Sequence, residues 1–397
     1  MNAKSFFLLL VILVSTRIKA QSIDYYTLEI NKNVKNTDSP YFEPIVALWD
    51  DFLSDFDDDN LNNYWIYWEQ KDESYLYRQM RYELYQHWNS GANVLVKVLG
   101  IAPKDSVYYQ LKTAVILTKN GEQNLFNLMS VYAQRNELNN YRLVSSTSYN
   151  EHKWQKARTN NIDFFLHPYF NYRESDALKM DFFNQEIARY FKTDVLDVKY
   201  FACNNTDDIT ELMGYDFYPF SLDASQTGGL ADTKNQIIYA GNGALYYPHE
   251  LIHLYTSKLH QDSLHWLMDE GIAAYLGGSS GYKIEWHWQK LKSFLKQNPN
   301  YDLSNINNYR EDIPNGEHIT QFIYPIGALI CRYIDLNIGK NVLKNKALST
   351  GRSNPELLQF LRSNNIISNW EDLNDFVREQ LNELPNLTAV EMKLLAY

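Results

Sequence analysis

Two histidines four residues apart constrain this chain more than any other feature. In Tyr247-Pro248-His249-Glu250-Leu251-Ile252-His253-Leu254-Tyr255, His249 and His253 project from one face of a helix with Glu250 beside them. Neutral imidazole nitrogens suit zinc, which in catalytic sites takes three protein ligands and keeps its fourth position for water. A carboxylate next to that water can take its proton. The stretch therefore predicts a helix carrying one zinc ion per chain, with His249 and His253 as ligands and Glu250 as general base. A third ligand has to come from elsewhere.

A third histidine on the pattern HExxHxxGxxH requires glycine at 256 and histidine at 259, where this chain has Thr256 and Leu259. His260 is one residue out of register, and His265 belongs to no ligand pattern, so both read as ordinary structural histidines. Glu270 fits better. It lies in Trp266-Leu267-Met268-Asp269-Glu270-Gly271-Ile272-Ala273-Ala274-Tyr275, where Trp266, Glu270, Ala273 and Ala274 share a helical face. The small alanines let this second helix approach the first. A mid-helix glycine costs about 1 kcal/mol against alanine, so Gly271 marks a backbone that must come near something. Asp269, its neighbour, stays open as an alternative ligand and as a partner for one of the histidines.

His-Glu-Leu-Ile-His followed by Trp-Leu-Met-Asp-Glu-Gly-Ile-Ala-Ala-Tyr resembles the gluzincin metallopeptidases, in particular the peptidase MA-like group. The resemblance implies a zincin fold, zinc ligation by His249, His253 and Glu270, and peptide-bond hydrolysis with Glu250 as base. It also implies that the strand just before the metal helix, Gln236, Ile237, Ile238, Tyr239, Ala240 and Gly241, lies at the sheet edge and pairs with an extended substrate. A free sheet edge beside a hydrolytic metal offers backbone hydrogen bonds to a peptide whatever its side chains. An oxyanion donor is implied from the helical subdomain, with Tyr324 as the candidate and His287 as the alternative. An aminopeptidase would need a glutamate ahead of the metal helix, and Gly241-Asn242-Gly243-Ala244-Leu245 has none. A silent zincin-fold binding protein and a self-processing precursor are the competing readings.

Lys4 precedes the apolar run Phe6 to Val14, and a polar stretch ends at Ala20, the pattern of a cleavable secretory signal peptide over 1–20. A secreted or periplasmic protein follows. No later stretch is long and apolar enough for an integral membrane helix. The net charge is −11 and becomes more negative once Lys4, Arg17 and Lys19 are removed. Such a surface argues against nucleic acid and against anionic membranes, and the peptide or protein partner is what the resemblance implies. An oxidising destination permits a bridge between the two cysteines, Cys203 and Cys331, but both read more simply as unpaired core residues.

The organisation expected is α+β. An N-terminal accessory domain over 21–155 begins with an amphipathic helix, Phe42 to Phe56, and an aromatic helix, Glu73 to Trp88. An antiparallel meander follows over Val94 to Leu99, Val107 to Leu117, Leu125 to Ala133 and Tyr141 to Ser145, an architecture similar to nuclear transport factor 2-like domains. The acidic run Asp55, Asp57, Asp58, Asp59 reads as a solvated loop. The zincin-like domain over 156–397 has a mixed sheet to about 283 and a helical subdomain over 284–397. Its helix Ser175 to Phe191 is expected to turn Leu178, Phe182, Phe183 and Ile187 inward, and Thr227 to Asp232 to form a loop.

Overall fold

A computed structural model of the chain describes residues 25–55, 63–65, 75–218, 228–260, 263–314 and 320–384. The expected leader and Asp57, Asp58 and Asp59 lie outside the described residues. The chain divides into two compact units, Met1–Val144 and Ser145–Tyr397.

In the first unit, Asn120 and Gly121 both take left-handed backbone angles, the two-residue turn that matches strand twist. They join β3 (Tyr108–Lys119) to β4 (Glu122–Arg135), with Lys119 opposite Glu122. The sheet runs β1-β2-β3-β4-β5, where β1 is Thr27–Ile30, β2 Asn93–Pro103 and β5 Tyr141–Val144. All neighbours are antiparallel except β1, which is parallel to β2. Val96, Val98, Leu111, Val115, Met129 and Val131 line its buried face. Helix α1 (Phe42–Ser54), with Ile45, Trp49, Phe52 and Leu53 buried, touches β5, and α2 (Tyr75–Asn89) touches β2. The meander and both helices stand where the alternation placed them. Sequence periodicity missed β1 because most of its residues are exposed.

The second unit starts at Ser145, eleven residues before the expected start at 156. Ser145 caps α3 (Ser146–Lys153), its hydroxyl accepting from Ser148 N–H, and β6 (Gln155–Arg158) pairs with β7 (Ile162–Leu166). The expected boundary thus falls on a charged edge strand rather than a linker. Next come α4 (Glu174–Phe191), β8 (Val198–Cys203), α5 (Thr206–Leu212), a short strand β9 (Tyr215–Phe217), β10 (Gly228–Asp232) and β11 (Ile237–Gly241). The sheet order β10-β11-β8-β7-β6 is mixed, with antiparallel pairs at both ends and parallel pairs in the middle.

This order corrects two expectations. Residues 228–232 are not a loop: they fold back on β11 as an antiparallel strand through a turn in which Gln236 has φ +54°. Consequently β11 lies between β10 and β8, and the strand just before the helix that carries His249 and His253 is not the edge. Helix α4 differs too. Leu178 and Phe182 are 54% and 59% exposed, while Ala177, Met180, Asp181, Asn184, Ile187 and Ala188 face inward. Polar anchoring turns the helix: Asn184 donates to Leu196 O and accepts from Tyr255 O–H, and Asp181 accepts from the Asn161 backbone N–H.

The helical part comprises α6 (Pro248–His260), α7 (Trp266–Gly277), α8 (Ile284–Gln297), α9 (Ile323–Tyr333) and, beyond a π-helical stretch Ile334–Gly339, α10 (Lys340–Asn345), α11 (Asn354–Ser363) and α12 (Leu373–Asn382). Cys203 and Cys331 are buried and unpaired. No helix among the described residues is long and apolar enough to cross a membrane.

Gly271 approaches α9 rather than α6. A methyl added at Gly327 would lie 2.6 Å from Leu267 O and 2.8 Å from Gly271 Cα, and one at Gly271 would lie 2.5 Å from the Gly327 carbonyl carbon. These are backbone atoms and cannot give way singly. Gly327→Ala is therefore expected to destabilise the protein by about 1–3 kcal/mol despite alanine's better helix propensity. Denaturant unfolding measures it, and an unchanged midpoint would mean that the α7–α9 crossing is loose.

Candidate metal centre

Pro248 occupies the first turn of α6, where its missing N–H costs nothing and its fixed φ starts the helix. His249, Glu250 and His253 follow on the buried side. Helix α7 brings Glu270 to them. Its last residue, Gly277, lets the backbones meet: a methyl there would lie 3.0 Å from His249 N and 2.9 Å from Ile252 Cδ1.

His249 Nε2, His253 Nε2 and a Glu270 carboxylate oxygen form one cluster of donor atoms. The two ring nitrogens are 3.1 Å apart, and Glu270 Oε2 lies 3.2 Å from His249 Nε2 and 3.7 Å from His253 Nε2. In a tetrahedral zinc site with ligands at 2.0–2.1 Å, neighbouring ligand atoms are about 3.4 Å apart. The triangle has that size.

Hydrogen bonds behind the rings orient their lone pairs. His249 Nδ1 lies 2.7 Å from Gly278 O, which can only accept, so Nδ1 carries the proton and Nε2 presents a lone pair. His253 Nδ1 lies 2.9 Å from Asp269 Oδ1, which assigns the same tautomer. Thr256 Oγ1 donates to that same Asp269 oxygen at 2.7 Å. One helix and the residue that caps it thus supply the third donor, Glu270, and the acceptors that set both histidines, Asp269 and Gly278.

Proton affinities reflect the same convergence. Burial opposes a charge on His253, but Asp269 and Glu270 outweigh it and raise its pKa well above the ordinary imidazole value. Burial would raise Glu270, yet His253 and His249 hold it well below the usual carboxylate range. The pocket favours positive charge between the three donors, and a divalent ion placed there would supply it with both imidazoles neutral.

Glu250 is 6% exposed, and its pKa is raised, first by burial. Its neighbour across the cleft is β10: a methyl added at Gly229 would fall 2.3 Å from Tyr247 Cε1 and 2.8 Å from Glu250 Cγ. The edge strand therefore passes directly over the general-base candidate.

Tyr324 packs edge-on against His249 with ring centroids 5.7 Å apart. Burial raises its phenol pKa, with Glu270 and Glu250 adding to the effect, so it remains a hydroxyl donor. The alternative donor, His287, is taken: Nε2 bonds Ser279 O at 3.1 Å and Nδ1 bonds Thr320 Oγ1 at 2.6 Å. Asp269 is not in the donor triangle, because its contact is to the far side of the His253 ring. His265 caps α7, its Nδ1 accepting from Leu267 N–H, and His260 bonds Ser349 Oγ. Of the strand Gln236 to Gly241, Gln236 sits in the turn and the other five residues are internal to the sheet, so none offers a free edge.

Gly229, Thr256, Gly277 and Gly278 were not singled out as site residues from the sequence. The pair Gly277-Gly278 closing the glutamate helix was the available signal, since adjacent glycines permit a close approach and an exposed carbonyl. Gly229 and Thr256 become legible only once the strands and helices are placed. No protein-family model matches the chain, and no curated protein matches it.

Proposed function

We propose that the protein is a secreted or periplasmic zinc-dependent peptidase of the gluzincin kind, in which His249, His253 and Glu270 hold one zinc ion and Glu250 is the general base. The observation carrying this is the donor triangle with both tautomers set from behind by Gly278 and Asp269. The three donor atoms repel one another unless a positive charge sits among them, which a proton on His253 provides in the metal-free chain and a divalent ion would provide with both imidazoles neutral.

Bound zinc supplies a Lewis acid and a water acidified toward neutrality. Glu250, its carboxylate pKa raised by burial, accepts the attacking water's proton at an Oε atom and hands it to the departing amine nitrogen. Tyr324 donates its hydroxyl proton in a hydrogen bond to the oxyanion that develops on the scissile carbonyl. The close packing of Gly229, Tyr247 and Glu250 excludes water from the carboxylate's flank.

Substrate docks on β10 rather than on β11. Among the described residues β10 pairs only with β11 and no strand lies on its outer side, and it runs past Glu250. The sheet's opposite edge, β6, carries Lys156 and Arg158, charges that discourage strand addition there. β10 carries one charge, Asp232 at its end, and none over Gly228-Gly229-Leu230-Ala231. The absence of a carboxylate in Gly241 to Leu245 favours internal cleavage over amino-terminal trimming. The first unit fits a nuclear transport factor 2-like accessory module.

Cleavage of an unstructured peptide library, abolished by a chelator and restored by zinc, is the expected result, and chelator-resistant cleavage would contradict the assignment. Gly229→Val is expected to lower kcat/KM about 10–100-fold with zinc content unchanged, because the added side chain moves the edge strand off Glu250 and a misplacement of about 1 Å can cost 10²-fold. Unchanged kinetics would remove β10 from the substrate site.

A further inference from the structure

His287 is a fully buried imidazole that the proposed chemistry does not use. Its surroundings give it another task. The partner of Nε2, Ser279 O, is a carbonyl and only accepts, so Nε2 carries the proton and Nδ1 accepts the Thr320 hydroxyl. Ser279 directly follows Gly278, whose carbonyl holds His249 Nδ1. Ser279 and Tyr282 exchange backbone hydrogen bonds of 2.9 Å each around a tight turn in which Ser280 and Gly281 have positive φ. Two successive carbonyls of this turn are thus gripped by two imidazoles, one facing the donor triangle and one facing the core.

The next residue of α8 extends the grip. Trp288 Nε1–H donates to Pro325 O at 3.0 Å, immediately after Tyr324. The Tyr324 ring lies between His287 and His249, with centroid distances of 5.8 Å and 5.7 Å. One turn of α8 therefore braces both the carbonyl that orients a zinc ligand and the residue beside the hydroxyl donor.

We propose that His287 is a positioning residue for the metal centre: through Ser279 O it fixes the Gly278 carbonyl, and through that carbonyl the tautomer and aim of His249. This rests on the zinc reading above. Burial lowers the His287 pKa to about 3, so the brace stays neutral and adds no charge behind the metal ligand.

The test compares His287→Gln, whose amide N–H can still reach Ser279 O, with His287→Phe, which keeps bulk and loses the donor. Zinc affinity is read by chelator competition, and the visible spectrum of the cobalt-substituted protein reports ligand geometry. Unfolding of the metal-free proteins is measured in parallel. His287→Phe is expected to weaken zinc binding about 10–100-fold and alter the cobalt spectrum, with His287→Gln within a few-fold of wild type. If both variants lose metal-free stability while zinc affinity and spectrum stay unchanged, His287 is a packing residue and the proposal falls. Should His287→Phe fail to fold, Thr320→Val, which removes the hydroxyl bonded to Nδ1, must lower zinc affinity several-fold; an unchanged affinity overturns the proposal. A wild-type protein that binds no zinc overturns the parent reading as well, and so separates the two failures.

Discussion

Exchange of Glu270 for alanine is expected to leave a folded chain that binds zinc at least about a hundredfold more weakly. Glu270 is partly exposed on α7, and its side chain contacts the two histidine nitrogens rather than the core. Removing it deletes one of three donors and the negative charge that offsets the ion. Loss of a group that merely orients a ligand already costs 10–100-fold in metal affinity. Alanine favours the helix, so the fold has no reason to fail. Chelator competition on the variant gives the answer, and wild-type affinity would mean that Glu270 is not a ligand.

Glu250→Gln should behave in the opposite way, keeping zinc and losing turnover. Glutamine has nearly the same shape and can still hydrogen-bond, but it cannot take a proton, and general-base catalysis contributes about 10²–10⁴-fold. Burial raises the Glu250 pKa, so the ionised carboxylate is held in a site that resists its charge. A neutral amide costs less to bury, and the variant should be at least as stable as wild type. A fall of that size in kcat with zinc content unchanged supports the base assignment. Full activity would move the base elsewhere.

How much of this was legible in the sequence depended on whether the information was local. The pair His249 and His253 and the face carrying Glu270 follow from helical spacing, which needs no tertiary knowledge, and the structure brings them to one point. The Asn120-Gly121 hairpin was similarly local. The edge strand was not. Gly228-Gly229-Leu230-Ala231-Asp232 lacks the alternation and β-branching that mark strands, and its pairing with β11 supplies the order that its own residues do not. Gly271 was legible as a close approach but its neighbour, Gly327, was not, because spacing reports which face is small and not what lies against it. In α4, Leu178 and Phe182 were assigned inward on hydrophobicity, while Asn184 and Asp181 took those positions through hydrogen bonds that a hydrophobic pattern cannot register.

The measurement that bears most directly on the central claim is the zinc content of the purified protein by elemental analysis, after dialysis against buffer with micromolar zinc and then against buffer without it. The donor triangle predicts about one zinc per chain, lost in Glu270→Ala and kept in Glu250→Gln. A wild-type chain that retains no zinc would contradict the account and leave His249, His253 and Glu270 as a buried, proton-linked cluster.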